Sequence, residues 1–201
     1  MKRNTRNATK TKQEIIEKSA PVFNVYGYAG TKMQMLVDAT GYQMGGIYRH
    51  FETKMDLAKE VFRYNFEVLV KSNLDLNPNL SPREKLLQII DNYQAMVVNP
   101  KVTGGCPILN TSTEVDDTDE AFSILTKSSI KEVIGEIELI LTEGKKAGSL
   151  QANFDPKEEA VYLFASFEGA ILLAKSLRKL SPVLIVFGKI REYLAEKVFL
   201  S

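Results

Sequence analysis

The sequence predicts an all-α fold of about nine helices: a three-helix N-terminal domain followed by a helical bundle. Three observations carry this. Apolar residues recur at three- and four-residue spacing along most of the 201-residue chain, no segment alternates convincingly with period two, and the breaks between periodic segments hold helix caps and stops. Short connections then place successive helices of the second part as antiparallel neighbours.

Residues 1–8, MKRNTRNA, are basic and aperiodic and are expected to form a disordered arm. Helix 1 starts near Thr11, where Thr11-Lys12-Gln13-Glu14 makes a capping box, and buries Ile15, Ile16, Ala20, Phe23 and Tyr26. Pro21 lies inside it and predicts a kink, and Gly27 ends it. From Thr31 to Phe51 the spacing predicts two short helices joined by a tight corner, a helix-turn-helix. Thr31 and Gln34 read as a capping box, Met33, Leu36, Val37 and Ala39 as the inward face, and Gly41 as the stop. The second of the pair, about Gln43 to Phe51, is a poor helix, since Gly45 and Gly46 each weaken it by about 1 kcal/mol relative to Ala. Two glycines there suit a backbone that must approach another surface closely. Ile47 and Phe51, four apart, anchor it inward and leave Met44, Gly45, Gly46, Tyr48 and His50 nearer the outside.

Thr53 to Asp56 cap a fourth helix expected to reach about Leu74, with Leu57, Val61, Phe62, Phe66, Leu69 and Val70 as its stripe. The domain boundary is placed along it, with 9–54 as the first domain and 55–201 as the second. Ser81-Pro82-Arg83-Glu84 opens helix 5, which runs to about Val98. After a break at 99–107 come a short helix at 108–115 and a longer one over 118–147. Asp155-Pro156 opens the next, to about Lys179, and Ser181-Pro182 the last. The final two are apolar around much of their circumference, which in a soluble chain requires partners on more than one face.

Composition narrows the function. Net charge is +1, yet residues 1–54 hold nine Lys and Arg against four Asp and Glu, leaving 17 against 21 beyond. A basic end beside an acidic body fits an electrostatic footprint for nucleic acid. One cysteine forms no internal disulfide, so a reducing cytoplasm is the expected location. No export signal is seen, and the most apolar run, Ala160 to Ala174, is interrupted by Glu168 and reads as too short to cross a membrane. A single histidine, His50, removes most histidine-based catalytic and metal constellations. No catalytic residue, metal ligand or cofactor is assigned.

The stretch GYAGTKMQMLVDATGYQMGGIYRHFETKMDLAKEV resembles the DNA-binding segment of the TetR family of transcriptional regulators, a likeness covering roughly residues 9–65 and resting on the spacing of Gly27, Thr31, Gly41, Tyr48, Phe51 and Lys54. The resemblance implies that residues 43–51 are the recognition helix. It implies phosphate contacts from Tyr48, His50 and Lys54, base edges facing Gln43, Met44 and Gly46 with close approach at Gly45, and Lys32 and Gln34 at the start of the preceding helix. Gln43 is the most legible reader, since its amide pairs bidentately with adenine. Gln43 stands where the family usually has a capping serine or threonine, and Gly46 where a small hydroxyl or alanine is common. It also implies double-stranded operator DNA and a small-molecule effector as partners, and a homodimer paired through the final helices. The implied activity is repression relieved by the effector, with no enzymatic step.

Within the second part, Tyr93, Met96 and Phe167 are expected to line a mostly apolar effector cavity, together with Asn110 and Glu114, which recur at helical spacing with Thr113 and equally suit a solvated face. Glu168, in the middle of AVYLFASFEGAILLA, needs a partner if buried. Cys106 reads either as a redox sensor or as a small hydrophobe in a turn. The rival function is a small-molecule enzyme or carrier using Cys106 or the carboxylates Glu114, Asp116 and Asp117.

Overall fold

The computed structural model describes residues 2–115, 119–151 and 154–200. Nine α-helices are present among them: α1 Lys2–Gly30, α2 Met33–Thr40, α3 Met44–Tyr48, α4 Lys54–Asn65, α5 Pro82–Val98, α6 Pro107–Val115, α7 Glu120–Lys146, α8 Pro156–Leu177 and α9 Ser181–Tyr193. The chain is all-α, and the extended pairing among the described residues is an isolated bridge between Leu150 and Phe199. It divides into two compact units, 1–68 with 102–126, and 69–101 with 127–201.

Local signals set most helix starts. Thr53 accepts from the Asp56 N–H while Asp56 accepts from the Thr53 N–H, and Ser81 and Glu84 repeat the reciprocal arrangement at α5. Asp155 accepts from the N–H groups of Lys157 and Glu158 to start α8. Asp119 accepts from the Phe122 N–H at 2.6 Å to start α7, and that bond holds its carboxyl below the usual range. Asp116 and Asp117, the rest of the acidic cluster, lie outside the described residues.

Several expectations are corrected. Helix α1 begins at Lys2 instead of near Thr11, because nothing between the two is a helix breaker. The non-helical residue inside that span is Gly27 (φ 69, ψ 179), not Pro21. Tyr26 is 57% exposed instead of buried, whereas Ile15, Ile16, Ala20 and Phe23 are in the core. Helix α4 changes character after Asn65 into a π-helical turn, Phe66–Val70, and a short 3-10 turn, Lys71–Asn73. Helix α8, at 22 residues, is long and apolar enough to cross a membrane, against the expectation that its apolar run is too short. Eight of its side chains, Glu159 and seven apolar residues, are buried in the second unit.

The first unit packs α2, α4 and α6 around α1. Its core holds Ile15, Leu36, Ile47, Leu57 and Val61, each no more than 1% exposed; burying such side chains contributes about 1.5–3 kcal/mol apiece. In the second unit a chain of aromatic contacts runs from Tyr93 through Phe167 to Phe187, with centroids 5.2 and 5.3 Å apart. Arg191 of α9 pairs with Asp91 of α5 at one edge. Glu159 is buried on α8, its Oε2 accepting from the Tyr193 hydroxyl at 2.9 Å.

Burial raises the Glu159 pKa above the ordinary carboxylate value. A folded-state pKa raised above the unfolded one means that stability present at acid pH is lost as pH rises through that window. Glu159→Gln keeps an acceptor for Tyr193 and removes the titration. Melting curves across pH are expected to show the variant more stable than the parent near neutrality, with the advantage vanishing below the ordinary carboxylate range.

Candidate nucleic-acid interface

Helix α2 ends where Gly41 takes φ 76 and its N–H returns to the Val37 carbonyl. Three residues later α3 begins. It is a single short run of five residues, Met44–Tyr48, with two glycines among them. Burial compensates for weak propensity: Ile47 is 1% exposed, and Phe51, in the turn after α3, is 4% exposed. The corner is fixed from α1, where Glu14 accepts from the Tyr42 hydroxyl at 2.7 Å and Lys18 donates to the Thr40 carbonyl at 3.0 Å.

This leaves one continuous outward face. Gln43, Met44, Gly45 and Tyr48 are exposed, with Lys32 and Gln34 exposed on α2. Gly46 is half-buried, its added Cβ meeting only Tyr42 at 3.9 Å, and nothing lies within 4 Å of one at Gly45. His50 is half-buried in a shallow depression it shares with Lys12, Lys59 and Arg63 and with Glu52, Asp56 and Glu60. Gln43 occupies the N-cap position of α3 with φ −62 and ψ 152, yet its side chain makes no capping hydrogen bond. Gln34 donates to Asp38 at 2.8 Å along α2. Arg49, passed over in the sequence reading, is exposed at the end of α3; a cation beside Tyr48 was the available signal.

Thr31 takes a different role from the one expected, and Lys54 makes further contacts. Thr31 does not cap α2. It is buried and donates to the Gly27 carbonyl at 2.6 Å, and Lys32 is the N-cap, without a side-chain cap bond. Lys54 points into the unit: its ammonium donates to the carbonyls of Tyr28 at 2.7 Å and Thr31 at 2.8 Å and lies 4.2 Å from the centre of the Tyr28 ring. That geometry satisfies carbonyls beyond the Gly27 break and adds a cation–π contact.

The residues expected to line an effector cavity fall in both units. Tyr93, Met96 and Phe167 are core residues of the second, 0%, 8% and 2% exposed. Asn110 and Glu114 belong to the first, where their stripe faces α1 instead of a solvated surface. Glu114 accepts from the backbone N–H groups of Tyr28 at 2.7 Å and Ala29 at 2.6 Å. Asn110 donates to the carbonyls of Asn24 and Gly104 and to the Asn24 side chain, while Asn24 donates to the carbonyls of Thr103 and Gly105. Gly104 has φ 116, and a Cβ there would sit 2.6 Å from the Asn24 carbonyl oxygen, so this close approach requires glycine. Cys106 is fully buried beside it.

Residues 15–61 match the family model described as bacterial regulatory proteins, tetR family, and residues 82–184 match the tetracyclin repressor-like C-terminal domain. The chain belongs to the TetR family of transcriptional regulators. A TetR regulator from Chloroflexus aurantiacus J-10-FL is 31% identical, with a TM-score of 0.91 over 98% of this chain and 100% of that one. A TetR-family regulator from Cytophaga hutchinsonii is also 31% identical, with a TM-score of 0.83 over 97% and 98% of the two chains. The HTH-type transcriptional repressor DhaR of Mycobacterium sp. (strain GP1) is 28% identical over 178 residues, 87% of each chain. Within this TetR-family chain the helix-turn-helix is therefore the DNA-binding element, and the enzyme reading is not favoured.

The junction at Gly27 gives a test of the scaffold behind α3. A Cβ on Gly27 would lie 2.7 Å from Glu114 Oε2, at a φ of +69 that L side chains rarely adopt. Gly27→Ala and Glu114→Ala, measured singly and together by chemical denaturation, are expected to show a favourable coupling of about 0.5–3 kcal/mol, because removing the carboxylate relieves the clash. Strict additivity would mean that the contact carries no energy.

Proposed function

We propose that this protein is a homodimeric repressor that binds a two-fold operator through α2 and α3 and leaves it when a small-molecule effector binds. The observation that carries the proposal is the α3 surface: a short, glycine-rich helix, locked by Ile47 and Phe51, that turns Gln43, Met44 and Tyr48 outward. The repressor named among its relatives supports the sign.

Base readout falls to Gln43, Met44 and Gly46, with Gly45 allowing close approach. Phosphate contacts fall to Tyr48, His50, Arg49 and the remaining donor of Lys54, flanked by Lys32 and Gln34. Dimerisation is supported by an apolar surface on the last two helices. Val161, Tyr162, Leu172, Leu173 and Leu177 of α8 and Leu184 and Ile185 of α9 are 46–64% exposed. A two-fold dimer of this kind sets its α3 helices in successive major grooves, roughly 34–36 Å apart.

Three variants test these assignments. Leu184→Glu with Ile185→Glu is expected to give a folded monomer by light scattering that no longer binds the operator. Phe187 and Leu194 are unsuitable for this purpose, being at most 1% exposed within the protomer. Binding of Gln43→Ala to an operator library at two salt concentrations is expected to lose preference at one position per half-site, by about 1–3 kcal/mol, with the salt slope unchanged. Unaltered base preference removes Gln43 as a reader. Lys54→Ala combines a lower melting temperature with, from its phosphate contact, a salt slope reduced by about one.

A further inference from the structure

Helix α3 is held to its unit unevenly. Its C-terminal end is set in the apolar core through Ile47 and Phe51, 1% and 4% exposed. Its N-terminal end, where Gln43 and Met44 stand exposed, follows a three-residue corner that opens on Gly41 at φ 76, with nothing within 4 Å of a Cβ there. In the middle of that corner is Tyr42, half-buried, and α1 grips it. Its hydroxyl donates to Glu14 Oε2 at 2.7 Å, and one turn further along α1 the Lys18 ammonium lies 5.9 Å from the centre of its ring. Lys18 also donates to the Thr40 carbonyl at 3.0 Å, and the Tyr42 N–H donates to the Thr40 hydroxyl at 3.2 Å. The hydrogen bond to Glu14 raises the pKa of the phenol, so the hydroxyl remains a donor.

We infer that Tyr42 is a positioning residue for base readout: its bond to Glu14 tethers the N-terminal end of α3, and the discrimination exercised through Gln43 depends on that tether. Tyr42 acts through its neighbour in the chain and not by contact with a base. The inference rests on reading Gln43 as a base reader and adds the residue pair that sets the precision of that reading. Glu14 of α1 thereby becomes part of the specificity apparatus, one helix away from the recognition surface.

The lever is short and the tolerance is small. From Ile47 back to Gln43 is about 6 Å of helix, so a tilt of about 10° about the apolar anchors displaces Gln43 by roughly 1 Å. A recognition group must be held within about 0.5 Å of its productive place. The Gln43 side chain makes no capping bond that would fix it, and its carbonyl accepts from Gly46 at 2.8 Å and Ile47 at 3.1 Å, so the residue moves with the first turn of α3. Contacts to phosphates are carried by charge and tolerate such a displacement far better than paired hydrogen bonds to a base edge. The core does not need the tether. Leu36, Ile47 and Leu57, at most 1% exposed, pack the unit from three helices, whereas Tyr42 and Glu14 are half-buried and exchange their bond for water. Losing the bond is therefore felt at the exposed end of α3 and not in the fold.

The test uses the full-length protein, a genomic fragment selected by the parent, and a scrambled duplex of the same length and composition; it reads the ratio of the two affinities at two salt concentrations. Tyr42→Phe keeps the ring and removes the O–H. It is expected to lower the ratio about tenfold, the scale of one paired base contact, while affinity for the scrambled duplex and its salt slope stay at the parental level. Glu14→Gln and Glu14→Leu carry the same charge and differ in whether an acceptor remains for Tyr42. The ratio for Glu14→Gln is expected within about twofold of the parent, and that for Glu14→Leu at the level of Tyr42→Phe, with no further loss when Glu14→Leu and Tyr42→Phe are combined. A parental ratio in Tyr42→Phe, an equal loss on both duplexes, or a Glu14→Gln as impaired as Glu14→Leu overturns the inference. If Tyr42→Phe does not fold, the comparison of the two Glu14 variants decides it. Failure of the parent to select any fragment overturns the regulator reading and the tether with it, whereas a fragment that the parent and Tyr42→Phe discriminate equally overturns the tether alone.

Discussion

The backbone break at Gly27 is held by two opposite charges, and the placement of the DNA-binding helices depends on it. With φ 69 and ψ 179 the chain leaves the α1 direction and strands its own polar groups. The N–H groups of Tyr28 and Ala29 are taken by the Glu114 carboxylate, and the carbonyls of Tyr28 and Thr31 by the Lys54 ammonium. Hydrogen bonds to charged groups contribute about 1.5–3 kcal/mol each, and leaving such groups buried and unmet costs a similar amount. One turn thus fixes α4 and α6 against α1, and through the Thr31 hydroxyl on the Gly27 carbonyl it fixes the entry to α2 as well.

This arrangement explains how α3 functions with so little helix propensity. Five residues, two of them glycine, do not make a stable helix in isolation. Its position is inherited from Ile47 and Phe51 in the core, from Tyr42 bonded to Glu14, and from Lys18 on the last carbonyl of α2. Rigidity is supplied by α1, so the outward face is left to carry small residues. Gly45, open on the outer side, can then come as close to a groove edge as the backbone allows.

What was legible in the sequence is what is local. The caps at Thr53, Ser81 and Asp155, the stop at Gly41 and the stripe of α4 all depend on partners within a few residues, and periodicity or spacing reveals them. The fold class and the helix-turn-helix follow from such signals. The roles of Lys54 and Glu114 do not, because their partners lie 26 and 86 residues away. A lysine at a helix start reads as a phosphate holder alone, and only the carbonyls of Tyr28 and Thr31 beneath it show the structural contacts it also makes. Asn110 and Glu114 at helical spacing are equally suited to a pocket, to solvent or to another helix, and burial of α1 backbone decides the matter. Thr31 reads as a cap from its neighbours, and only the Gly27 break upstream shows that its hydroxyl is engaged elsewhere.

The strength of the grip on α1 bears on how the molecule is controlled. A ligand shifts a conformational equilibrium only by the difference between its affinities for the two states, and tenfold corresponds to about 1.4 kcal/mol. Here the link from α6 to α1 includes polar contacts, those of Glu114 with two N–H groups and that of Asn110 with Asn24. Released contacts of this kind regain water, so their net contribution is about 0.5–1.5 kcal/mol for a neutral bond and roughly twice that for a charged one. A sum of a few kcal/mol is large enough to hold one arrangement in the absence of ligand and small enough for the differential affinity of a small molecule to oppose. Polar contacts at the junction of α1 and α6 thus give the turn that supports the recognition helix a strength of a few kcal/mol, within the range that differential ligand affinity can oppose.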